Sequence, residues 1–136
     1  MTQEDKELLL KDLCARLPYG IKASYYGADE ECETWDEVDG VVFGCVEIGQ
    51  YSLPIERVKP YLFPLSSMTD EQWKEITDIQ IKESLKSIDS NNDYMSNPLL
   101  SIEDLKTIDW LNAHHFDYRN LINKNLAIDC TNLNIY

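Results

Sequence analysis

Apolar residues near the start of the chain recur at the period of a helix. Leu9, Leu10, Leu13, Cys14 and Leu17 are spaced by three and four positions, which places them on one face of a helix over residues 3–17. Pro18 and Gly20 follow at once, and both residue types end helices.

The pattern then changes to alternation, which is typical of strands with one buried side. Segments 21–26, 34–38, 41–48 and 51–55 have this character. Asp39-Gly40 is a favoured pair for a tight hairpin turn, and Gly49-Gln50 offers a second turn. The sequence therefore predicts an antiparallel meander of three or four strands. Residues 54–64 contain three prolines among apolar side chains, so we expect ordered coil that covers the core there.

A second helix has a clear beginning at Thr69. Gln72 stands three residues later, as in a capping box, while Met68 and Trp73 have the spacing of a hydrophobic staple. The apolar pattern continues to about residue 88, and the polar residues 89–99 predict a mobile loop.

A third helix is predicted after Ser101, with Asp104 three residues later as a looser capping signature. Its expected buried face comprises Ile102, Leu105, Ile108 and Leu111, with Trp110 at the flank. Asp117 is expected to cap a further short helix.

These elements predict one α+β domain over residues 1–136. It comprises an N-terminal helix (1–20), a small antiparallel sheet with proline-rich coil (21–64) and a helical part (65–136) whose helices pack on one face of the sheet.

Charge then limits the partners. The chain has 25 acidic and 12 basic residues, a net charge of −13, and the basic residues are dispersed. Direct nucleic-acid binding and attachment to an anionic membrane both need clustered positive charge, so we expect neither. No apolar run approaches the ~20 residues that span a bilayer. Acidic residues near the N-terminus are unlike a signal peptide, and the four cysteines have no C-x-x-C spacing, so the sequence predicts a cytoplasmic protein without disulfides.

The residues with the most chemical potential lie close together after the third helix. Asp109, His114, His115 and Asp117 could bind a metal or exchange protons, because carboxylates orient imidazoles that titrate near neutral pH. In the alternative interpretation one histidine packs with Trp110 and Phe116 and hydrogen-bonds a backbone carbonyl, while Asp117 caps. The second interpretation is preferred, so no catalytic or metal-binding residue is assigned.

Cofactor motifs are not found. The glycines fit no phosphate-binding loop, and Asp89-x-Asn91-x-Asp93 resembles a calcium loop but has Tyr94 and Leu100 where glycine and glutamate are needed. No cofactor is predicted.

Aromatic side chains are frequent in and beside the predicted sheet. If helices cover one face, the other can present an aromatic patch, and such rings anchor protein–protein contacts. We expect Tyr25, Trp35, Tyr51 and Tyr61 to contribute to it.

Three stretches resemble a group of small proteins of gut Bacteroides-type bacteria and their phages or mobile elements, a group to which no activity is assigned. They are KDLCARLPYG at 11–20, PIERVKPYLFPLSSMT at 54–69 and DWLNAHHFDYR at 109–119 with Leu121-Ile122. The resemblance implies a phage or mobile-element setting and transfers no functional residue.

Three hypotheses follow. The leading one is a non-enzymatic accessory or interaction protein whose acidic surface engages a basic protein partner, for example in place of nucleic acid. The second is a small metal-dependent or hydrolytic enzyme that uses His114, His115, Asp109 and Asp117. The third is a structural homodimer.

Overall fold

The chain folds as an α+β protein. The computed structural model describes the backbone of residues 1–26, 33–91 and 105–136, and the side chains of 1–25, 34–82 and 106–136. The helices are α1 (Gln3–Arg16), α2 (Asp70–Asn91) and α3 (Leu105–Ala113). The strands are β1 (Lys22–Tyr26), β2 (Glu33–Val42), β3 (Cys45–Ile48), β4 (Tyr51–Pro54), β5 (Val58–Pro64), β6 (Phe116–Asp117) and β7 (Ile128–Asp129).

These strands form one mixed sheet in the order β4-β3-β2-β1-β5-β6, with β7 also beside β5. The neighbours from β4 to β5 are antiparallel, whereas β6 and β7 run parallel to β5. Seven strands exceed the three or four that the sequence predicts, because β5, β6 and β7 carry no alternating pattern strong enough to mark them.

Helix α1 confirms the first prediction. Thr2 caps it by accepting a hydrogen bond from the Asp5 N–H at 3.1 Å. Leu9 and Leu13 are fully buried against the sheet. A short 3-10 turn at Leu17–Tyr19 and Gly20, with φ of +71°, then end the helix.

The expected turn at Asp39-Gly40 is wrong, because β2 continues through it to Val42. The register shifts by one residue between Val38, which pairs with Ile48, and Gly40, which pairs with Glu47. Such a β-bulge inserts one residue on one strand. It brings both Val38 and Val41 to the core side although they are three positions apart, opposite the buried Ile48 and Val46.

The turn lies instead at Phe43-Gly44, between β2 and β3. Phe43 has φ of +52° and Gly44 has φ of +77°. Positive φ at both central residues defines a type I′ hairpin turn, in which asparagine and glycine are favoured and phenylalanine is not. The second predicted turn, Gly49-Gln50 between β3 and β4, is confirmed.

Strand β5 corrects the expectation of coil over residues 54–64. It lies inside the sheet and pairs with β1 through Ala23 and Pro60. On its other edge the two-residue strands β6 and β7 contact only residues 61–64. Pro60, which has no N–H to donate, lies outside the ladders that β5 forms with β6 and β7.

Two hydrophobic clusters replace the single helix-covered face that the sequence predicts. The first joins α1 to the sheet through buried residues such as Leu9, Leu13, Ile48 and Leu62. The second joins α2 and α3 to the end of β5. It comprises Met68, Ile76, Trp110, Leu111 and Phe116, with Phe63 packed against it. Successive residues of a strand point to opposite sides, so Phe63 leaves the first cluster where Leu62 enters it.

The capping box of α2 is confirmed: the N–H of Gln72 donates to Thr69 Oγ1 at 3.2 Å, and the N–H of Thr69 donates to Gln72 Oε1 at 2.9 Å. The helix runs three residues beyond the predicted 88, so residues 89–91 are helical rather than loop. The rest of the predicted loop, together with Ser101, Ile102 and Asp104, lies outside the described residues.

Helix α3 buries a different face from the one that the sequence predicts. Thr107, Trp110 and Leu111 are buried, whereas Ile108 is half-buried. The short helix predicted after Asp117 is a series of turns over residues 121–125. No helix in the described ranges is both long and apolar enough to cross a membrane.

We expect alanine to destabilise the protein at Gly49, in the turn between β3 and β4, and to have little effect at Gly40, within β2. Gly49 has φ of +61°, and a Cβ there would lie 2.7 Å from Tyr25 Oη, so Gly49→Ala should lower the free energy of unfolding by about 1–3 kcal/mol. A Cβ at Gly40 meets nothing within 4 Å, so Gly40→Ala should change it by less than about 0.5 kcal/mol. Urea denaturation measures both, and equal losses would contradict the assigned turn geometry.

Candidate functional site

The two histidines form the turn that links α3 to β6. The His114 N–H donates to Trp110 O and the His115 N–H donates to Asn112 O, each at 3.1 Å, as the helix ends. His115 then takes φ of +62°, an uncommon conformation for a residue with a side chain. This reversal sends the two neighbouring rings to different partners.

His114 is held by Trp110. The two rings stack with centroids 4.0 Å apart, and His114 Nδ1 lies 2.8 Å from Trp110 O. His115 stacks instead on Tyr136, with centroids 3.7 Å apart and an interplanar angle of 10°. Its Nδ1 is buried and has no hydrogen-bond partner within the described part of the chain.

The two aspartates do not join the histidines as ligands. Asp117 is buried, and its carboxylate accepts hydrogen bonds from the N–H groups of Leu121 and Ile122, both at 2.9 Å. Asp109 is exposed on α3. Across residues 1–26, 33–91 and 105–136, no group of three His, Cys, Asp or Glu side chains is arranged to hold a metal ion.

Burial changes the chemistry of His115. It lowers the pKa of the imidazole from 6.5 to about 4, and the positive charges of Arg16 and Lys22 and the His114 ring act in the same direction. His115 is therefore neutral at pH 7 and presents a polar aromatic ring rather than a charge.

A buried ion pair beneath this turn is the feature that the sequence analysis missed. Asp12 and Arg16 of α1 are fully buried, and Arg16 Nε donates to Asp12 Oδ2 at 2.8 Å. Arg16 Nη2 donates to Phe116 O at 2.7 Å, and Arg119 Nη1 donates to Asp12 Oδ1 at 3.1 Å. The pair thus connects α1 to Phe116 in β6 and to Arg119, two residues after that strand.

The network extends to an aromatic ring. The guanidinium carbons of Arg16 and Arg119 lie 5.2 and 4.9 Å from the centroid of Tyr118. The Tyr118 hydroxyl donates to Asn112 Oδ1 at 2.9 Å, back on α3. Burial raises the pKa of Asp12 while the two arginines oppose that rise. The sequence signal was present: Asp12 and Arg16 are four residues apart on the same helical face as Leu9 and Leu13.

An open cleft of about 420 Å³ lies beside the histidine turn. We call it the aromatic cleft. Its described lining comprises Phe63, Ser67, Thr69, Gln72, Ala113, His114, His115, Phe116, Thr131 and Tyr136. Phe63 lies 6.0 Å, between ring centroids, from both Phe116 and Tyr136. Half of the lining residues therefore carry rings. We use the name rim for the four that carry hydroxyl or amide groups, Ser67, Thr69, Gln72 and Thr131.

Tyr136 closes one side of this cleft. Its hydroxyl accepts from the Lys22 N–H and donates to Tyr61 O, both at 2.9 Å, and so bridges β1 and β5. Lys22 Nζ donates to Ile135 O at 2.9 Å. Burial raises the pKa of the Tyr136 phenol, so the hydroxyl stays protonated and keeps both bonds.

The four aromatic residues predicted for a shared patch do not form one exposed surface. Tyr25 is buried in the first cluster and contacts Tyr51, 5.9 Å away between ring centroids, at the core side. Tyr61 is buried as well. Trp35 and Tyr51 are exposed. Trp35 points to the side of the sheet opposite Tyr25, where Lys22 Nζ lies over its ring, 5.3 Å from the centroid. Phe43, which the sequence analysis did not select, is the most exposed large apolar residue in the described chain.

Comparison with known proteins finds no matching family model, no matching curated protein and no matching solved structure. The site must therefore be interpreted from its own geometry.

Removal of the Asp12 side chain should strongly destabilise the fold. Asp12→Ala leaves the Arg16 guanidinium buried without its counter-charge, and we expect the free energy of unfolding to fall by about 3–5 kcal/mol in denaturant titration. Glu56→Ala is the control, because it breaks the exposed Lys6–Glu56 pair at 2.6 Å and should matter far less. Similar losses in the two variants would show that the buried network is not a special constraint.

The stability of the fold should depend on His115 at mildly acidic pH. The unfolded chain protonates this residue below about 6.5 and the folded chain only near 4, so its contribution is lost as pH falls between these values. His115→Asn removes the titration and tolerates the positive φ. The stability advantage of the natural protein over this variant should shrink from pH 6.5 to pH 4, whereas a constant difference would contradict the lowered pKa.

Proposed function

We propose that this protein is a non-enzymatic interaction protein that engages a basic protein partner through the acidic β2–β3 hairpin. We use the name hairpin tip for residues 42–45. Phe43 is the observation that carries the proposal: its side chain is 101% exposed, at φ of +52°. Val42 beside it is 49% exposed.

The conformation of the hairpin tip is energetically unfavourable in the protein without a partner. A left-handed conformation in a residue other than glycine costs about 1–2 kcal/mol, and the exposed ring gains nothing from burial. Aromatic side chains are the usual anchors of protein interfaces, where they enter pockets on the partner. A partner that covers Phe43 would supply the stabilisation that the chain itself does not.

The charge along the strand that leads to the tip indicates what kind of partner fits. Asp36, Glu37 and Asp39 are exposed on β2, the strand that leads to the tip, and the chain as a whole carries −13. Such a surface accelerates association with a positively charged protein and repels an acidic one. A basic nucleic-acid-binding protein has the required surface, so competition with nucleic acid for that surface is part of the proposal.

We also propose that the protein is located in the cytoplasm and that it is encoded by a phage or mobile element. Cys14, Cys45 and Cys130 are free thiols, which suits a reducing compartment. The setting rests on the sequence resemblance alone. The enzyme alternative lacks a supporting observation, because Asp117 is committed to backbone N–H groups and the two histidine rings stack on different partners.

Phe43→Asn tests the hairpin tip. Asparagine suits the type I′ turn, so the variant should be about 1 kcal/mol more stable and yet lose its partner. Affinity capture at about 50 mM and about 500 mM salt, with identification of the captured proteins, should enrich a protein of high pI only at low salt and only with the natural chain. Leu133→Asn removes another exposed apolar side chain and should retain the partner.

A charge comparison separates the hairpin from general acidity. Asp36→Lys/Glu37→Lys/Asp39→Lys should abolish capture, whereas Glu71→Lys/Glu75→Lys/Asp78→Lys on α2 makes the same change in net charge and should not. Equal effects, or no basic protein at low salt, would refute the proposal. A dimer that Phe43→Asn converts to a monomer would support the structural homodimer instead.

A further inference from the structure

We infer that the aromatic cleft is a binding site for a small, uncharged, planar molecule with hydrogen-bonding groups, of the size of a single aromatic ring system. This site is separate from the hairpin tip and does not depend on the proposed partner. Its volume of about 420 Å³ falls within the range of small-molecule sites, roughly 300–1,000 Å³.

The walls favour a planar ligand. Five of the ten described lining residues carry rings: Phe63, His114, His115, Phe116 and Tyr136. Each ring is fixed by another ring, since His114 stacks on Trp110, His115 stacks on Tyr136 and Phe63 contacts Phe116. Rings that are already oriented need little ordering when a ligand enters, and this preorganisation favours affinity.

The charge of the cleft favours a neutral ligand. None of its described lining residues is an aspartate, glutamate, lysine or arginine. His115 is neutral at pH 7 because its pKa is about 4. An ion that entered this cleft would lose water without contacting an oppositely charged side chain of the described lining, which is unfavourable for either sign.

The rim supplies a donor and acceptors. Gln72 Oε1 is occupied by the Thr69 N–H, so the Gln72 amide hydrogens are left for a ligand acceptor. The hydroxyls of Ser67 and Thr131 donate to Pro64 O and Asp129 Oδ1, so their oxygen lone pairs are left to accept. A ring that carries both a carbonyl-like acceptor and an N–H donor complements this arrangement.

Three probes of the same size and shape test the inference. Benzamide is neutral, benzoate is anionic and benzamidine is cationic at pH 7. We expect benzamide to shift the NMR signals of His114, His115 and Thr131 saturably in the millimolar range, as befits a fragment. Benzoate and benzamidine should bind at least about fivefold more weakly.

A pair of tryptophan variants locates the binding. Ala113 is exposed on the last turn of α3 and lines the cleft, so Ala113→Trp should fill its opening and abolish the benzamide shifts while the fold persists. Lys124→Trp places the same side chain on an exposed turn away from the lining and should leave them unchanged. The inference is overturned if benzamide causes no saturable shifts, if the charged probes bind equally well, or if Ala113→Trp has no effect.

Discussion

The buried contact between Asp12 and Arg16 is the constraint on which the second half of the structure depends. A guanidinium without exposure to water must have its charge and its hydrogen-bonding groups satisfied by the protein. Arg16 meets this requirement in part: Nε donates to Asp12 on its own helix and Nη2 donates to the carbonyl of Phe116, while Nη1 has no hydrogen-bond partner among the described residues. The position of β6 relative to α1 is thereby set, and with it the turn that carries both histidines.

Local signals predicted the parts of the fold that are local in origin. The helix start at Thr69, the helix end at Gly20 and the turn at Gly49-Gln50 each depend on residues within a few positions. The β-bulge at Val38 and Gly40 could not be predicted in this way, because it exists to keep Val38 and Val41 on one side of a sheet. Asp39-Gly40 has the composition of a turn, and tertiary packing overrode that preference.

In the candidate site, too, features of neighbouring residues could be predicted and long-range contacts could not. The sequence drew attention to the histidine pair and to Asp117, although Asp117 accepts hydrogen bonds from the N–H groups of turns and not from those of the predicted helix. It could not show that Tyr136 stacks on His115 or that Arg16 reaches Phe116, contacts that span 21 and 100 positions respectively. Of the aromatic residues predicted for a patch on the sheet, Tyr25 and Tyr61 are buried, and Phe43 was missed because a turn residue is expected to be polar.

Strand β5 has a consequence for how the chain reaches this structure. Its partners come from β1, earlier in the chain, and from β6 and β7, more than 50 positions later. Closing such long loops is entropically unfavourable, so contacts of this kind slow folding relative to a helical protein of similar size. Until β6 and β7 have paired with β5, this strand has an open edge with which another chain can pair. The period before the sheet is complete is therefore when the molecule is most exposed to self-association.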